Sequence, residues 1–270
     1  MDKAIEEVLK KGTPLVCIHP IPNYGDLLNI PIVTALLGRD AAFGSYQMLT
    51  EVPKDVNIFI GIGTLVGYII PTEWFRNRKV TFLGTGAVER PMDRSVFNRA
   101  QGFVRGPVSA QTTGLPAGGD LAMLLHTVYP AKTFAKNRKE KTAVVIDKFD
   151  SPYLLDLPNQ DKFSAFNVKV DGLLGIYERI ASATMVVTDR LHVATTAELC
   201  HIPWILWDHE GGDLYTHHEK FKDWASSIGK EKFVIQSLHN IEVIKDNTDF
   251  SASDNQIKEL RGEIKQWLAK

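Results

Sequence analysis

Residues 185–192 read Met-Val-Val-Thr-Asp-Arg-Leu-His, and this stretch decides the fold class. Apolar and β-branched residues run directly into charged ones, and the small residues of Val193–Cys200 are typical of a buried helix. A strand that ends where a helix begins places Asp189, Arg190 and His192 at the carboxyl edge of an open α/β sheet, where such folds bind ligands. Because the helix start adds unpaired N–H groups and a partial positive charge, we expect an anionic ligand. A structural Asp189–Arg190 pair with His192 packed beside it is the alternative.

The same alternation of short apolar runs and amphipathic stretches continues along the 270 residues and predicts parallel sheets built from βαβ units. The predicted strands are Leu15–Ile18, Asn57–Ile62, Val80–Leu83, Thr142–Ile146, Phe166–Val170, Met185–Thr188, Trp204–Leu206 and Phe233–Ile235. The predicted helices are Asp26–Leu37, Arg94–Gln101, Val108–Thr113, Leu121–Val128, Leu173–Ala183, Leu191–Leu199, Glu219–Ser227 and Asn255–Ala269.

A basic segment without apolar periodicity, Tyr129–Lys141, separates the two runs of strands and reads as a linker. We therefore predict two Rossmann-like domains, residues 1–130 and residues 131–270. The helix Asn255–Ala269 has one apolar face, so we expect it to dock on the second domain.

Composition excludes several classes of protein. A net charge of −1 argues against nucleic-acid binding, which needs a basic excess. No apolar run approaches the ~20 residues of a membrane span, and the charged start Met1–Gly12 has no apolar signal region. Cys17 and Cys200 lie in apolar contexts and read as small core residues in a reducing compartment. We expect a cytoplasmic protein.

The turn Asn23-Tyr24-Gly25-Asp26 follows the first predicted strand. Gly25 permits a tight turn and Asp26 is a good N-cap for the next helix, which accounts for both residues structurally. The functional alternative is that Asn23 and Asp26 hold sugar hydroxyls at the carboxyl edge of the sheet.

Two glycine turns, Gly61–Thr64 and Gly84–Gly86, follow the next strands. Neither has the spacing of a dinucleotide fingerprint. Gly63 and Gly84 could let a ligand approach the backbone, or could simply make turns.

Arg105 is the second cation at a predicted helix start, since Pro107 suits the first turn of the following helix. Two arginines placed in this way, Arg105 and Arg190, suit a ligand with both a carboxylate and a phosphate. By contrast, Gly118-Gly119-Asp120 reads as a turn with Asp120 as a helix cap.

His192 is the best acid–base candidate, because histidine titrates near neutral pH and its neighbours are charged. The sequence has no nucleophile elbow, Walker A loop or zinc signature. The segment Asp208–Asp213, with His217 and His218 after it, lacks metal-ligand spacing, so we read a polar loop and no metal site.

Taken in order, these motifs resemble the polysaccharide pyruvyl transferase family, and the resemblance covers about residues 15–230. The matching segments are Asn23–Asp26, Gly61–Thr64, Gly84–Gly86, Arg105–Ser109, Gly119-Asp120 and Asp189–His192. The last match is a helix that contains Lys220 and ends at the hydrophobic-Gly pair Ile228-Gly229.

The resemblance implies a GT-B-like arrangement of the two domains and transfer of the pyruvyl group of phosphoenolpyruvate to a sugar as a ketal. Phosphoenolpyruvate is then a co-substrate, and no other cofactor is expected. The first domain is expected on the acceptor side and the second on the donor side. The expected donor-binding residues are Arg105, Arg190, Leu191, Lys220, Gly63 and Gly84. The expected catalytic residues are His192 and Asp26, and the expected acceptor-binding residues are Asn23 and Asp26.

Two other functions fit the same pattern. One is a GT-B glycosyltransferase with a nucleotide-sugar donor, and the other is a non-catalytic carbohydrate-binding protein with Trp204 and Trp207 as stacking platforms. The hydrophobic context of both tryptophans favours the core. The acceptor sugar is either free or lipid-linked, and a lipid-linked acceptor would bring the protein to the inner membrane face.

Overall fold

The computed structural model describes residues 3–20, 23–129, 142–145, 163–166, 168–207, 214–230, 235–236, 254–255, 257–259 and 262. These residues form a mixed α/β structure in which every strand pair is parallel. The parallel α/β architecture expected from the sequence is confirmed.

Helices and strands are interspersed along the described part of the chain. The strands are β1 (Leu15–Cys17), β2 (Ala42–Gly44), β3 (Ile58–Ile60), β4 (Thr64–Val66), β5 (Val80–Ala87), β6 (Ala100–Val104), β7 (Thr142–Val145), β8 (Phe163–Phe166), β9 (Val186–Thr188), β10 (Trp204–Trp207) and β11 (Ile235–Gln236). The α-helices are α1 (Lys3–Lys10), α2 (Tyr24–Leu37), α3 (Pro107–Thr113), α4 (Val168–Ala181), α5 (Leu191–Leu199) and α6 (Leu214–Ser227). In the described residues, 3₁₀ helices cover Thr72–Phe75, Arg94–Phe97 and Leu121–Thr127.

The strands form two sheets. The first has the order β2-β1-β3-β5-β4, with β6 also paired to β5, and the second has the order β11-β10-β9-β7-β8. Because the strands of each sheet are parallel, the turns after them meet at one edge, and most of the motif residues lie there. The division into domains at residue 130 stays a prediction, because residues 130–141 lie outside the described part.

The helices of the two sheets share one hydrophobic core. This cluster combines side chains of α2 and of the 3₁₀ helix Leu121–Thr127 with side chains of α4, α5 and α6. A hydrogen bond joins the two sets, with the Tyr24 hydroxyl 3.0 Å from the Thr196 hydroxyl. Burial raises the pKa of the Tyr24 phenol far above its usual value, so this hydroxyl stays protonated.

Three predicted elements differ in the structure. The predicted strand Phe166–Val170 is wrong, because β8 ends at Phe166 and α4 begins at Val168, with non-helical backbone at Gly172. Pairing with β7 fixes this register and overrides the β-propensity of the valines that follow. The predicted helix Arg94–Gln101 is a single 3₁₀ turn that leads into β6.

The predicted helix Arg94–Gln101 ends in β6 because the backbone of β6 packs closely against β5. Gly102 has φ 95°, and a Cβ atom there would lie 2.1 Å from the carbonyl oxygen of Phe82 on the neighbouring strand. The third difference is the predicted helix Leu121–Val128, which is 3₁₀ and not α. The sequence analysis also missed β2 and β4.

Other predictions concern single residues. Cys17 and Cys200 are buried thiols, and burial raises the pKa of the Cys17 thiol to about 12. Trp204 is buried in the core, as its context indicated.

Most of the predicted helix Asn255–Ala269 lies outside the described residues, and Ile257 packs in the shared core. Within the described residues, no helix is long and apolar enough to cross a membrane.

Asn29 attaches α2 to the turn after β3. Its side-chain amide donates to the carbonyl oxygens of Asp26 and Ile62 at 3.0 and 3.1 Å, and its amide oxygen accepts from the Ile62 N–H at 2.8 Å. The side chain is buried, so these bonds hold the Gly61–Gly63 turn against the start of α2.

We predict that Asn29→Ala lowers the free energy of unfolding by about 2–4 kcal/mol, because it leaves both backbone groups of Ile62 buried without partners. Urea unfolding measures the change. The control is Thr50→Ala, which removes an exposed hydroxyl bonded to the Tyr46 carbonyl and should change stability by less than about 0.5 kcal/mol. Native stability of Asn29→Ala would contradict this prediction.

Candidate active site

A buried carboxylate joins the two most prominent sequence candidates. Oδ2 of Asp120 lies 3.0 Å from Nε of Arg105 and 3.3 Å from Nε2 of His192. Asp120 and Arg105 are almost completely buried, and the His192 side chain is 12% exposed. The structure therefore brings together residues that are 15 and 72 positions apart in the sequence.

The Arg105 guanidinium is enclosed by the turns of neighbouring strands. Both of its terminal nitrogens lie 3.1 Å from the hydroxyl of Thr64 in β4. A Cβ atom on Gly86 would lie within 2.6 Å of the guanidinium, so only glycine leaves room for it at the end of β5. Thr85 in turn donates its hydroxyl to the Gly63 carbonyl at 2.8 Å, which joins the two glycine turns.

His192 lies in the first turn of α5 and packs against the first turn of α2. A Cβ atom on Gly25 would lie 1.9 Å from Nδ1 of His192, so the glycine of the Asn23–Asp26 motif makes room for the imidazole. The main chain of His192 is held as well, since its carbonyl accepts the Thr196 hydroxyl at 2.7 Å. The motifs at Asn23–Asp26 and Asp189–His192 therefore form one site.

The cap of α2 differs from the expected one. The N-cap is Asn23, whose side-chain oxygen accepts the N–H groups of Gly25 and Asp26 at 2.9 and 3.2 Å. Asp26 lies inside the first turn, where its Oδ2 accepts the Asn23 N–H at 3.2 Å in a capping box. The expectation that Asp26 itself is the N-cap is wrong, because the helix begins at Tyr24, directly after Asn23.

The two predicted donor-binding glycines have different surroundings. Gly63 has φ 126°, and a Cβ atom there would lie 3.1 Å from Oδ1 of Asp26, so this turn lies against the α2 motif. Gly84 has φ 80°, and a Cβ atom there would lie 2.4 Å from the carbonyl oxygen of Gly119. Backbone fills the space beside Gly84, so packing explains that glycine.

Arg190 and Leu191 begin α5 beside His192. Arg190 is the N-cap residue and its side chain is 18% exposed, with Nε 2.9 Å from Oδ1 of the buried Asp189. The Leu191 side chain belongs to the shared core, which leaves its main chain as the part that can meet a ligand. Lys220 lies on α6, with its ammonium 5.8 Å from the centre of the Phe221 ring.

The sequence analysis predicted Asp120 only as a helix cap, and it missed the contact of Thr64 with Arg105. Asp120 does cap the 3₁₀ helix Leu121–Thr127, since its Oδ1 accepts the Ala122 N–H at 2.9 Å. The other oxygen contacts both Arg105 and His192. The available signal was the position of Gly119-Asp120 between the arginine and histidine motifs.

Asp120 is ionised despite its burial. Burial is the largest influence and raises the pKa, but the charge and hydrogen bond of His192, the charge of Arg105 and the Ala122 N–H together outweigh it. The pKa of Asp120 therefore falls below its usual value of 3.8. An ionised carboxylate only accepts hydrogen bonds, so Nε2 of His192 donates to it, and the neutral imidazole carries its lone pair on Nδ1.

These contacts define a class of site: an imidazole oriented by a carboxylate that also binds an arginine, with a second arginine at the start of the same helix, where parallel strands end. Such a site can bind an anion and move a proton. Within the described residues, no group of His, Cys, Asp and Glu side chains is arranged to hold a metal ion.

The chain belongs to the polysaccharide pyruvyl transferase family, whose model matches residues 23–210. A crystal structure of an uncharacterized protein from Klebsiella pneumoniae subsp. pneumoniae NTUH-K2044 is similar in fold, with a TM-score of 0.52 and 12% sequence identity. The match covers 87% of this chain and 99% of that chain. A search of curated proteins finds no match.

We predict that His192→Ala reduces the loss of stability in acid. The ionised Asp120 contributes stability that is present above its ordinary pKa of 3.8 and is lost as the pH falls through the lower folded-state value. Without His192 the pKa of Asp120 rises, so the free energy of unfolding should fall less between about pH 4 and pH 2.

Urea unfolding at several pH values measures this effect. His201→Ala is the matched control, since His201 contacts the carboxylate of Asp254 at 2.9 Å but is half-exposed. The prediction fails if the two histidine variants have the same acid dependence.

Proposed function

We propose that the protein transfers the pyruvyl group of phosphoenolpyruvate to a sugar of a polysaccharide or its precursor, as a ketal. The observation that carries the proposal is the contact of Asp120 with both His192 and Arg105. It combines an oriented proton-transfer group with an anion-binding group, in a chain of the pyruvyl transferase family.

The chemistry follows from the needs of the donor. A proton is added to the methylene carbon of phosphoenolpyruvate, which makes C2 an oxocarbenium-like electrophile. A sugar hydroxyl attacks C2 and loses its proton. The bond between C2 and the phosphate oxygen breaks, and a second hydroxyl attacks C2 and loses its proton to close the ketal. The products are the pyruvylated sugar and inorganic phosphate.

His192 is the residue that we assign to proton transfer. Nε2 is held by Asp120, so Nδ1, on the side of Gly25, is the atom that takes or gives the proton. Asn23 and Asp26 belong to the same turn as Gly25, so this assignment places the acceptor hydroxyls there. Asp26 is the second catalytic candidate because its carboxylate is buried in that turn.

We assign binding of the donor's carboxylate and phosphate to Arg190, Arg105 and Lys220. Arg190 is part-exposed at the N-terminus of α5, where helix N–H groups favour an anion. Arg105 is more deeply buried and acts on the donor's charge from inside the site, with Lys220 contributing from α6. The two sheets fit a GT-B-like arrangement, with the acceptor on the side of the first sheet and the donor on the side of the second.

The first prediction tests the donor. At a hundred times its dissociation constant, phosphoenolpyruvate should stabilise the protein by about 2.7 kcal/mol, which raises the melting temperature by several degrees. Pyruvate and inorganic phosphate serve as controls for general anion binding. Stabilisation by a nucleotide-sugar without any by phosphoenolpyruvate would favour the glycosyltransferase, and stabilisation by sugars alone would favour a carbohydrate-binding protein.

A second prediction tests the assignment of His192. His192→Ala should lower single-turnover phosphate release by about a hundredfold or more, the range expected for loss of a general acid–base group. His192→Gln keeps a hydrogen-bonding side chain but cannot titrate, so it should bind the donor without restoring turnover. His201→Gln is the control. Native turnover of His192→Gln would mean that His192 only positions the donor.

A further inference from the structure

Asp223 lies on α6, which follows β10 of the second sheet. It binds the start of α3, which follows β6 of the first sheet. Its Oδ1 accepts the N–H groups of Val108 and Ser109 at 2.9 and 3.1 Å, and its Oδ2 accepts the Ser109 hydroxyl at 2.5 Å. Asp223 is 2% exposed, and it lies 114 residues from Ser109 in the sequence. None of the site assignments drawn from the sequence includes it.

The α3 sequence lacks a cap of its own. The N-cap residue is Gly106, which has no side chain to satisfy the first N–H groups of the helix. Asp223 supplies this cap from α6. Its position also explains the glycine, because a Cβ atom on Gly106 would lie 1.9 Å from the carbonyl oxygen of Asp223. With φ −156°, Gly106 has a backbone that any residue adopts, so only the approach of α6 requires glycine there.

The same contact fixes the surroundings of Arg105. Arg105 directly precedes Gly106, and its N–H donates to the Thr85 carbonyl at 2.9 Å. The Ser109 hydroxyl, which donates to Asp223, accepts the Ala87 N–H at 2.9 Å. Ala87 follows Gly86, the residue that leaves room for the Arg105 guanidinium. Asp223 therefore holds both the turn that carries Arg105 and the end of the strand beside it.

Helix α6, which bears Asp223, also bears Lys220 of the proposed donor site. Lys220 lies three residues before Asp223 on α6, and residues three apart lie on the same side of a helix. The position of Asp223 therefore sets where Lys220 stands relative to the Arg105 turn.

We propose that Asp223 is a positioning residue for the donor site, which holds Arg105 and Lys220 at the separation that the donor requires. This inference rests on the proposed function. Asp223 touches no reacting atom and acts through the α3 cap and the Arg105 turn.

The test compares phosphoenolpyruvate affinity in Asp223→Ala, Asp223→Asn and Gly106→Ala, with melting curves to confirm folding. Asp223→Ala should weaken affinity by about tenfold, since small misplacements of a binding group are costly. Asp223→Asn keeps an oxygen for the two N–H groups and should retain most of the affinity. Gly106→Ala, which forces α6 away, should behave like Asp223→Ala.

Glu198→Gln is the matched control for a merely structural effect. Glu198 is a buried carboxylate on α5, 2.8 Å from the Trp204 indole nitrogen and 2.6 Å from the Lys230 ammonium. Its loss should lower the melting temperature and leave phosphoenolpyruvate affinity near the native value. Native affinity in folded Asp223→Ala would overturn the proposal.

Amide hydrogen exchange separates this inference from the proposed function. Faster exchange of the Val108 and Ser109 amides in Asp223→Ala reports loss of the cap, and faster exchange of the Arg105 amide reports that the arginine turn has been released. If the native protein does not bind phosphoenolpyruvate, the proposed function fails. The exchange rate of the Arg105 amide in Asp223→Ala then decides alone whether Asp223 positions the arginine turn. Acceleration there supports the positioning role, and unchanged exchange overturns it.

Discussion

The ionised carboxylate of Asp120 is the constraint on which the site depends. It is buried, caps a 3₁₀ helix with one oxygen and holds Arg105 and His192 with the other. A buried ion pair is weak evidence for stability, because its desolvation can cost as much as its attraction returns. Removing one member is costly, however, since the others are left as buried charges. The arrangement therefore makes the positions of the guanidinium and the imidazole dependent on each other more than it stabilises the fold.

Three glycines make this arrangement sterically possible. Gly25 leaves room for His192, Gly86 leaves room for Arg105, and Gly106 leaves room for the backbone of α6 at Asp223. Gly25 and Gly86 belong to motifs that the sequence presents as turns, and Gly106 lies between Arg105 and the proline that begins α3. The space beside each is occupied by a part of another motif, so the motifs are complementary to one another in shape. A ligand is not needed to explain any of these glycines, while the charged groups that they admit are the ones suited to bind an anion.

Much of this site could be predicted because parallel strands bring their carboxyl ends to one edge. That rule places the turns after β1, β3, β5 and β6 together, and with them Arg105, while it places His192 at the corresponding edge of the second sheet, after β9. The importance of Asp120 could not be predicted, because capping a helix already explains an aspartate after two glycines. The cap by Asp223 was out of reach, since nothing local to α6 indicates a partner 114 residues away. The misplaced strand near Phe166 has a similar cause, because only the pairing with β7 selects its register.

The charges of the site bear on how the proposed donor binding and the proposed proton transfer are connected. Arg105 is balanced by Asp120, and Arg190 lies beside Asp189, so the cluster carries little net charge while the imidazole is neutral. A donor with a carboxylate and a phosphate brings several negative charges next to His192. Asp120 already accepts from Nε2, so Nδ1 is the ring atom that remains for the proton transfer that we propose. In the proposed reaction, the carboxylate and the phosphate therefore add their charge to a cluster that is close to neutral, next to the ring that transfers the proton.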